Sequence, residues 1–302
     1  MHWLIITILA YFLLAIVSLF DRYFLVGPIS SPKVYTFYIG LTWSFISLLL
    51  LPFITVPSNF LFVILGLLAG VVRILAALFF AKAIVKSEAS RVVPSVGALL
   101  PIFSFLLFFI FLPETGNQNL FQFLAFIFLL LGAALISIKE FSIKIFHPGF
   151  MKYSVVAAFL FALNFFLLKI AFLKIDFLTG LFLLLLGGGA AAIFLLFFPK
   201  NRQEIFGRKT SLKVSGFFLL GQIVSGSGVL LQNYAVFLAK PGQVPLINAI
   251  EGTRYVFLLL FIFILSKVRP EILKEEMRGK VLLQKIIAIF LIGIGLVSLA
   301  FK

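Results

Sequence analysis

Apolar residues in this chain fall in long blocks, without the alternation of strands or the narrow stripes of soluble helices. A helix rising 1.5 Å per residue needs about 20 residues to cross a hydrocarbon core of about 30 Å. Ten blocks approach that length, near 3–20, 34–53, 59–81, 92–112, 119–138, 153–173, 177–198, 214–239, 243–266 and 281–301. Turn chemistry separates them: Gly27-Pro28 with Pro32, Pro57-Ser58, Pro113 to Asn119, His147-Pro148-Gly149, Pro199 to Gly207, Pro241-Gly242 and Arg269-Pro270. The pattern predicts an all-α polytopic membrane protein with ten transmembrane helices. The intervening segments are too short for an ordinary soluble domain, so activity is expected among the helices. Asp21-Arg22-Tyr23 directly follows the first block with no small-residue cleavage motif, which predicts a retained helix and not a signal peptide.

Composition strengthens this reading. Of 302 residues, 63% are hydrophobic and 12% charged, with a mean hydropathy of +1.23, whereas soluble domains run near ~45–50% apolar and ~25% charged. There is too little polar surface to clothe a soluble globule. Cysteine is absent, which removes disulfides, thiolate catalysis and sulfur-ligated metals. His2 and His147 have no second ligand at helical spacing, so neither metal nor cofactor is expected. Gly226-Ser227-Gly228 lacks the G-x-S-x-G spacing of a hydrolase elbow, and no zinc-protease or phosphate-loop motif occurs. An enzyme is not expected.

A net charge of +15 would point to nucleic acid on a soluble module. Here the positives sit in loops between apolar blocks, which excludes nucleic acid as a partner and leaves the lipid bilayer with its anionic headgroups. Loops after odd-numbered helices carry nineteen of the 25 Lys and Arg, from Arg22 and Lys33 to Lys280 and Lys285. The other face carries four, Lys169, Lys174, Lys240 and Lys302, with Arg73 and Arg254 inside blocks. That bias predicts a multi-pass protein of the cell membrane with both termini outside the cytoplasm.

The blocks divide five and five around 139–152, giving expected repeats over 1–140 and 150–302. Leu130-Leu131-Gly132-Ala133-Ala134-Leu135-Ile136-Ser137 echoes Leu291-Ile292-Gly293-Ile294-Gly295-Leu296-Val297-Ser298, and Leu14-Ala15 with Arg22 echoes Phe161-Ala162 with Lys169. An odd number of helices per repeat inverts the second repeat relative to the first, an arrangement recurrent in transporters. Two stretches carry a family likeness. Ala81 to Glu114 runs from a small-residue turn into a helix bearing Pro101 and ending at Pro113-Glu114; Asn233-Tyr234-Ala235 through Tyr255 is followed by a glycine-containing last helix. In these the chain resembles the EamA-type proteins of the drug/metabolite transporter superfamily. The resemblance implies two inverted five-helix repeats around a central cavity. It also implies cytoplasmic termini, against the charge count.

Ionisable groups within apolar blocks cost about 2.5–3.5 kcal/mol at a helix centre on insertion scales and are functional candidates by default. Arg73, Glu251 and Arg254 qualify, the last two three residues apart on one helix face. Glu251–Arg254 reads equally as a structural ion pair. Asn248, Thr253 and Tyr255 crowd the same segment, and Gln232, Asn233 and Tyr234 close the preceding helix, enough convergent polarity for a mostly apolar pocket. Asn164 and Tyr11 are further candidates, Lys169 is expected to snorkel to the interface, and Arg73 is expected to pair with Glu251. Pro101 alone lies deep in its block, while Pro94, Pro241 and Pro245 fit helix starts. Gly187-Gly188-Gly189 and Gly221 offer smooth packing faces.

The expected function is a secondary transporter of a small organic solute, an amino acid-like or other metabolite exported by alternating access. A membrane-embedded enzyme or lipid-handling protein predicts a reactive cluster at the interface, and a channel or scaffold predicts a different spread of polarity. Neither pattern is seen. Monomer and homodimer remain open.

Overall fold

The computed structural model describes residues 2–55, 57, 59–87, 89–112, 120–137, 148–207, 211–268 and 280–300. Residues 138–147 of the junction expected between repeats, Pro113-Glu114 and the basic residues Arg208, Lys209, Arg269, Lys274, Arg278 and Lys302 lie outside the described residues, Lys139, Lys144 and His147 falling within that junction.

Among the described residues there are helices and no strands. They are α1 (His2–Val26), α2 (Pro32–Leu50), α3 (Phe60–Lys86), α4 (Ala89–Phe111), α5 (Leu120–Ser137), α6 (Pro148–Phe172), α7 (Phe177–Phe194), α8 (Pro199–Phe206), α9 (Leu212–Leu238), α10 (Val244–Ala249), α11 (Gly252–Val268) and α12 (Lys280–Ala300). Seven described spans are long and apolar enough to cross a membrane, with α10 and α11 forming one span. Shorter apolar stretches lie in α4, α5 and α12, at Ser95–Phe111, Leu120–Leu135 and Leu283–Leu299. The chain is thus an integral, multi-pass, all-α membrane protein. Large apolar side chains face outward along it, Leu49 and Phe60 each 73% exposed, which only a hydrocarbon solvent tolerates on this scale.

Helix starts follow local chemistry. Ser31 caps α2 ahead of Pro32, the Asn59 carboxamide accepts from Leu61 N–H at 2.9 Å, and Asp176 accepts from Thr179 N–H at 3.0 Å at the start of α7. Pro241 and Pro245 also stand at helix starts, as expected from their missing N–H groups.

Three elements differ from the sequence expectation. Helix α1 runs past residue 20 to Val26, because Phe24 and Leu25, each 1% exposed, keep its last turns packed in the core. The segment after α7, expected to be a loop, folds into the short helix α8, whose Asn201 is held by Lys33 Nζ at 2.8 Å. The block at 243–266 is broken at Ile250-Glu251 into α10 and α11.

Packing positions the site. Helix α1 lies along α9 and α3 along both α6 and α7, while α2 pairs with α7 and α5 with α12. The three glycines of α7 serve three contacts. A side chain at Gly187 would meet the Leu67 backbone, at Gly188 the rings of Trp43, and at Gly189 the side chain of Ser44. From α3, Gly70 reaches the backbone of Leu184 and Gly188 in turn. This close approach is the packing role that small residues play between helices in lipid.

Candidate functional site

Each helix around the centre offers a stripe at spacing three or four, the face repeat of an α-helix. Leu14, Val17 and Asp21 come from α1; Tyr35, Ile39 and Trp43 from α2; Arg73, Ala77 and Phe80 from α3; and Ser225, Val229 and Gln232 from α9. With Phe161 and Phe165 of α6, Val96 and Leu100 of α4, and Glu251 and Arg254 they enclose a cavity of about 110 Å³.

The break between α10 and α11 places its charges there. Glu251 N–H bonds the Asn248 carbonyl at 3.2 Å, Thr253 N–H the Ile250 carbonyl at 2.8 Å and Arg254 N–H the Glu251 carbonyl at 2.9 Å. These three-residue spacings tighten the chain at the break. Glu251 N–H therefore does not bond the Ile247 carbonyl in α-helical fashion; the Tyr11 hydroxyl donates to that carbonyl at 3.1 Å. Gly252 lets the break lie against α12, since a side chain there would sit 3.2 Å from Ile292.

All three guanidinium nitrogens of Arg254 are engaged. Its Nη1 donates to Glu251 Oε1 at 3.1 Å, and its Nε and Nη2 donate to Ser18 Oγ at 3.0 and 2.8 Å. The other oxygen of Glu251, Oε2, is buried without a hydrogen-bond partner. Arg73 does not pair with Glu251 as expected. Its Nη1 and Nη2 reach Asn164 Oδ1 and Gln232 Oε1, both at 3.4 Å, and its Cζ stands 5.0 and 5.4 Å from the ring centres of Phe161 and Phe165. The facing of α3, α6 and α9 brings the amides of Asn164 and Gln232 within reach of the Arg73 guanidinium, while Arg254, three residues from Glu251, takes one carboxylate oxygen. Asn164 is fixed in turn by donating to the Ala69 carbonyl at 2.9 Å, and Gln232 Nε2 donates to Tyr11 Oη at 3.3 Å. A chain of hydrogen bonds thus links Arg73 through Gln232 and Tyr11 to α10.

The structure divides the other predicted residues. Asn248 donates to Ser104 Oγ of α4 at 2.9 Å, and the Tyr255 hydroxyl to the Val93 carbonyl at 2.8 Å, over Gly97, whose missing side chain makes the room. These bind the broken helix to α4. Asn233 is buried with neither side-chain atom bonded. Tyr234 turns away and packs its ring on Phe177 and Phe237, at 5.0 and 6.3 Å between centres. Lys169 does not snorkel but is 3% exposed, donating to the Phe237 carbonyl at 3.1 Å, a cation at the C-terminal end of α9.

Asp21, Tyr35, Trp43 and Ser18 were not among the candidates read from the sequence. Asp21 accepts a hydrogen bond from the Tyr35 hydroxyl at the cavity wall. Its signal was the spacing Leu14, Val17, Asp21, which continues the inward face of α1 past the end of the apolar block.

The fold is that of a polytopic membrane protein with an internal, largely apolar cavity into which a few polar groups converge at a broken membrane helix. No family model and no curated protein matches the chain. Among solved structures, one crystal structure superposes on 99% of this chain and 95% of its own, with a TM-score of 0.61 at 15% identity, a likeness of fold.

Proposed function

We propose that the protein is a secondary transporter with ten membrane spans in two inverted five-helix repeats, 1–140 and 150–302, moving a small organic solute through the cavity between them. The observation that carries the reading is the helix broken at Glu251, with its ion pair facing the cavity. Discontinuous helices with binding groups at the break recur in secondary transporters.

The packing pattern supports the repeats. If α1 to α5 correspond in order to α6, α7, α9, the α10–α11 span and α12, then α1 against α9 and α3 against α6 are the same contact seen twice. Helices α2 with α7 and α5 with α12 pair each with its own counterpart, as a two-fold axis between repeats requires. This arrangement also suits the resemblance to EamA-type transporters.

The test is transport in proteoliposomes across a panel of organic solutes under proton and sodium gradients, beside Glu251→Gln. At least one solute should move with wild type and slow about tenfold or more in the variant, the loss expected when a buried charge partner is removed. No movement under any gradient overturns the proposal. Orientation is read separately, the native chain being free of cysteine. With both termini outside, Lys200→Cys is labelled from the cytoplasm and Lys240→Cys from outside; the reverse pattern puts the termini in the cytoplasm.

A further inference from the structure

The polar groups of the cavity are unevenly partnered, and Arg73 is the least satisfied. Arg254 makes three hydrogen bonds of 3.1 Å or less, one to a carboxylate. Arg73 makes two, both 3.4 Å long and both to neutral amide oxygens. Among the described residues no carboxylate lies within ion-pair distance of it. A guanidinium carries five N–H donors in a planar fork, so most of its capacity is unspent. Holding such a cation half-buried with no carboxylate bonded to it is costly, and the faces of Phe161 and Phe165 offset only part of that while accepting no hydrogen bond.

Resting on the transport reading, we infer that the cavity takes a small organic monocarboxylate, its two oxygens bound by the Arg73 fork and its hydrocarbon end against Phe161, Phe165 and Phe80. A carboxylate matches the fork in shape and charge. The walls nearest Arg73 are the rings of Phe161, Phe165 and Phe80, which suit a short alkyl chain better than the all-polar surface of inorganic phosphate. An engineered apolar cavity of about 150 Å³ admits benzene, so about 110 Å³ accommodates an acid the size of acetate or propionate.

The experiment is calorimetric titration of the full chain in detergent with propionate, propionamide and propylammonium. Propionate should bind saturably and at least about tenfold more tightly than propionamide, which keeps the shape and loses the charge. Arg73→Gln should lose that preference and Arg73→Lys keep part of it. Failure of propionate to bind overturns the inference, as does equal binding of propionamide or propylammonium. Unchanged propionate affinity in Arg73→Gln does the same. If Arg73→Gln does not fold, the comparison of ligands on wild type still decides. Counterflow of labelled propionate in proteoliposomes separates this inference from the transport reading. Binding without movement keeps the site and overturns propionate transport; movement of other solutes without propionate binding keeps transport and overturns the site.

Discussion

Two helix interfaces of the molecule are built in opposite ways. Helix α3 meets α7 backbone to backbone, with Gly66, Gly70 and Gly187 removing the side chains that would separate them. Helices α2 and α9 keep their backbones apart and touch through long side chains: Tyr35 and Tyr38 on Phe218, and Thr42 at 3.5 Å from Gln222. The cavity occupies the second gap and not the first. Space inside a membrane protein is thus set by where glycine is placed as much as by where polar residues are.

The strongest challenge to this comparison is Gly70→Leu. Its side chain would have to displace the backbone of Leu184 and Gly188, and overpacking of this kind costs about 1–3 kcal/mol or more. A large fall in detergent melting temperature and in yield is expected; an unchanged melt would deny that the α3–α7 seam is tight. Next comes Asp21→Asn on the open side, which weakens the charge-assisted bond from Tyr35. Transport should fall several-fold with little change in melting, whereas a loss of stability equal to that of Gly70→Leu would make the two interfaces alike. A smaller effect is expected at the end of the seam, where Asp176 caps α7 and accepts from Thr55 of the α2–α3 loop. Asp176→Ala should cost about 1 kcal/mol, the usual worth of such a cap. Partial burial pushes the Asp176 carboxyl up, but the bonds from Thr55 and Thr179 outweigh it and hold it below the usual carboxylate range. Its ionised form therefore stabilises the fold above the unfolded carboxylate pKa of about 3.9, and that contribution fades as pH falls through the lower folded value. A pH series of melts on wild type and Asp176→Ala should converge in acid and separate near neutrality. Smallest of all is Gly226→Ala in α9, where a side chain would meet nothing within 4 Å. A change of at most about 1 kcal/mol, in the stabilising direction, is expected from helix propensity alone; marked destabilisation would show that α9 is packed as tightly as α3.

Much of the fold was legible because lipid demands it. Apolar blocks and their Gly and Pro boundaries located the helices, since unsatisfied backbone is excluded from hydrocarbon and each crossing must be a continuous helix unless protein surrounds it. That same exception hid the break at Glu251. Hydropathy reads 243–266 as unbroken because the long apolar run from Val256 to Leu265 outweighs the polar patch around Glu251; Pro245 and Gly252 flank that patch, and each also fits an ordinary helix. Arg73, Gln232, Glu251 and Arg254 were found as candidates because charge and amide groups are conspicuous in an apolar block, and all four line the cavity. Their partners were not legible. Arg73 was matched to the nearest spare acid, whereas the choice between Glu251 and the amides of Asn164 and Gln232 depends on how three helices rotate about their axes. Asp21 was lost to the opposite error, a boundary drawn where hydropathy falls and not where the inward face ends.

The broken helix has a mechanical consequence. Every residue of α10 is buried, so that short segment is clamped on all sides. Helix α11 has 17 residues, a rigid arm of roughly 25 Å. A bend of about 10° at the joint would sweep the far end of that arm through about 4 Å while α10 stayed still, given the rise of 1.5 Å per residue. On the transport reading proposed above, the split is a pivot that lets one face of the protein move without pulling the other along.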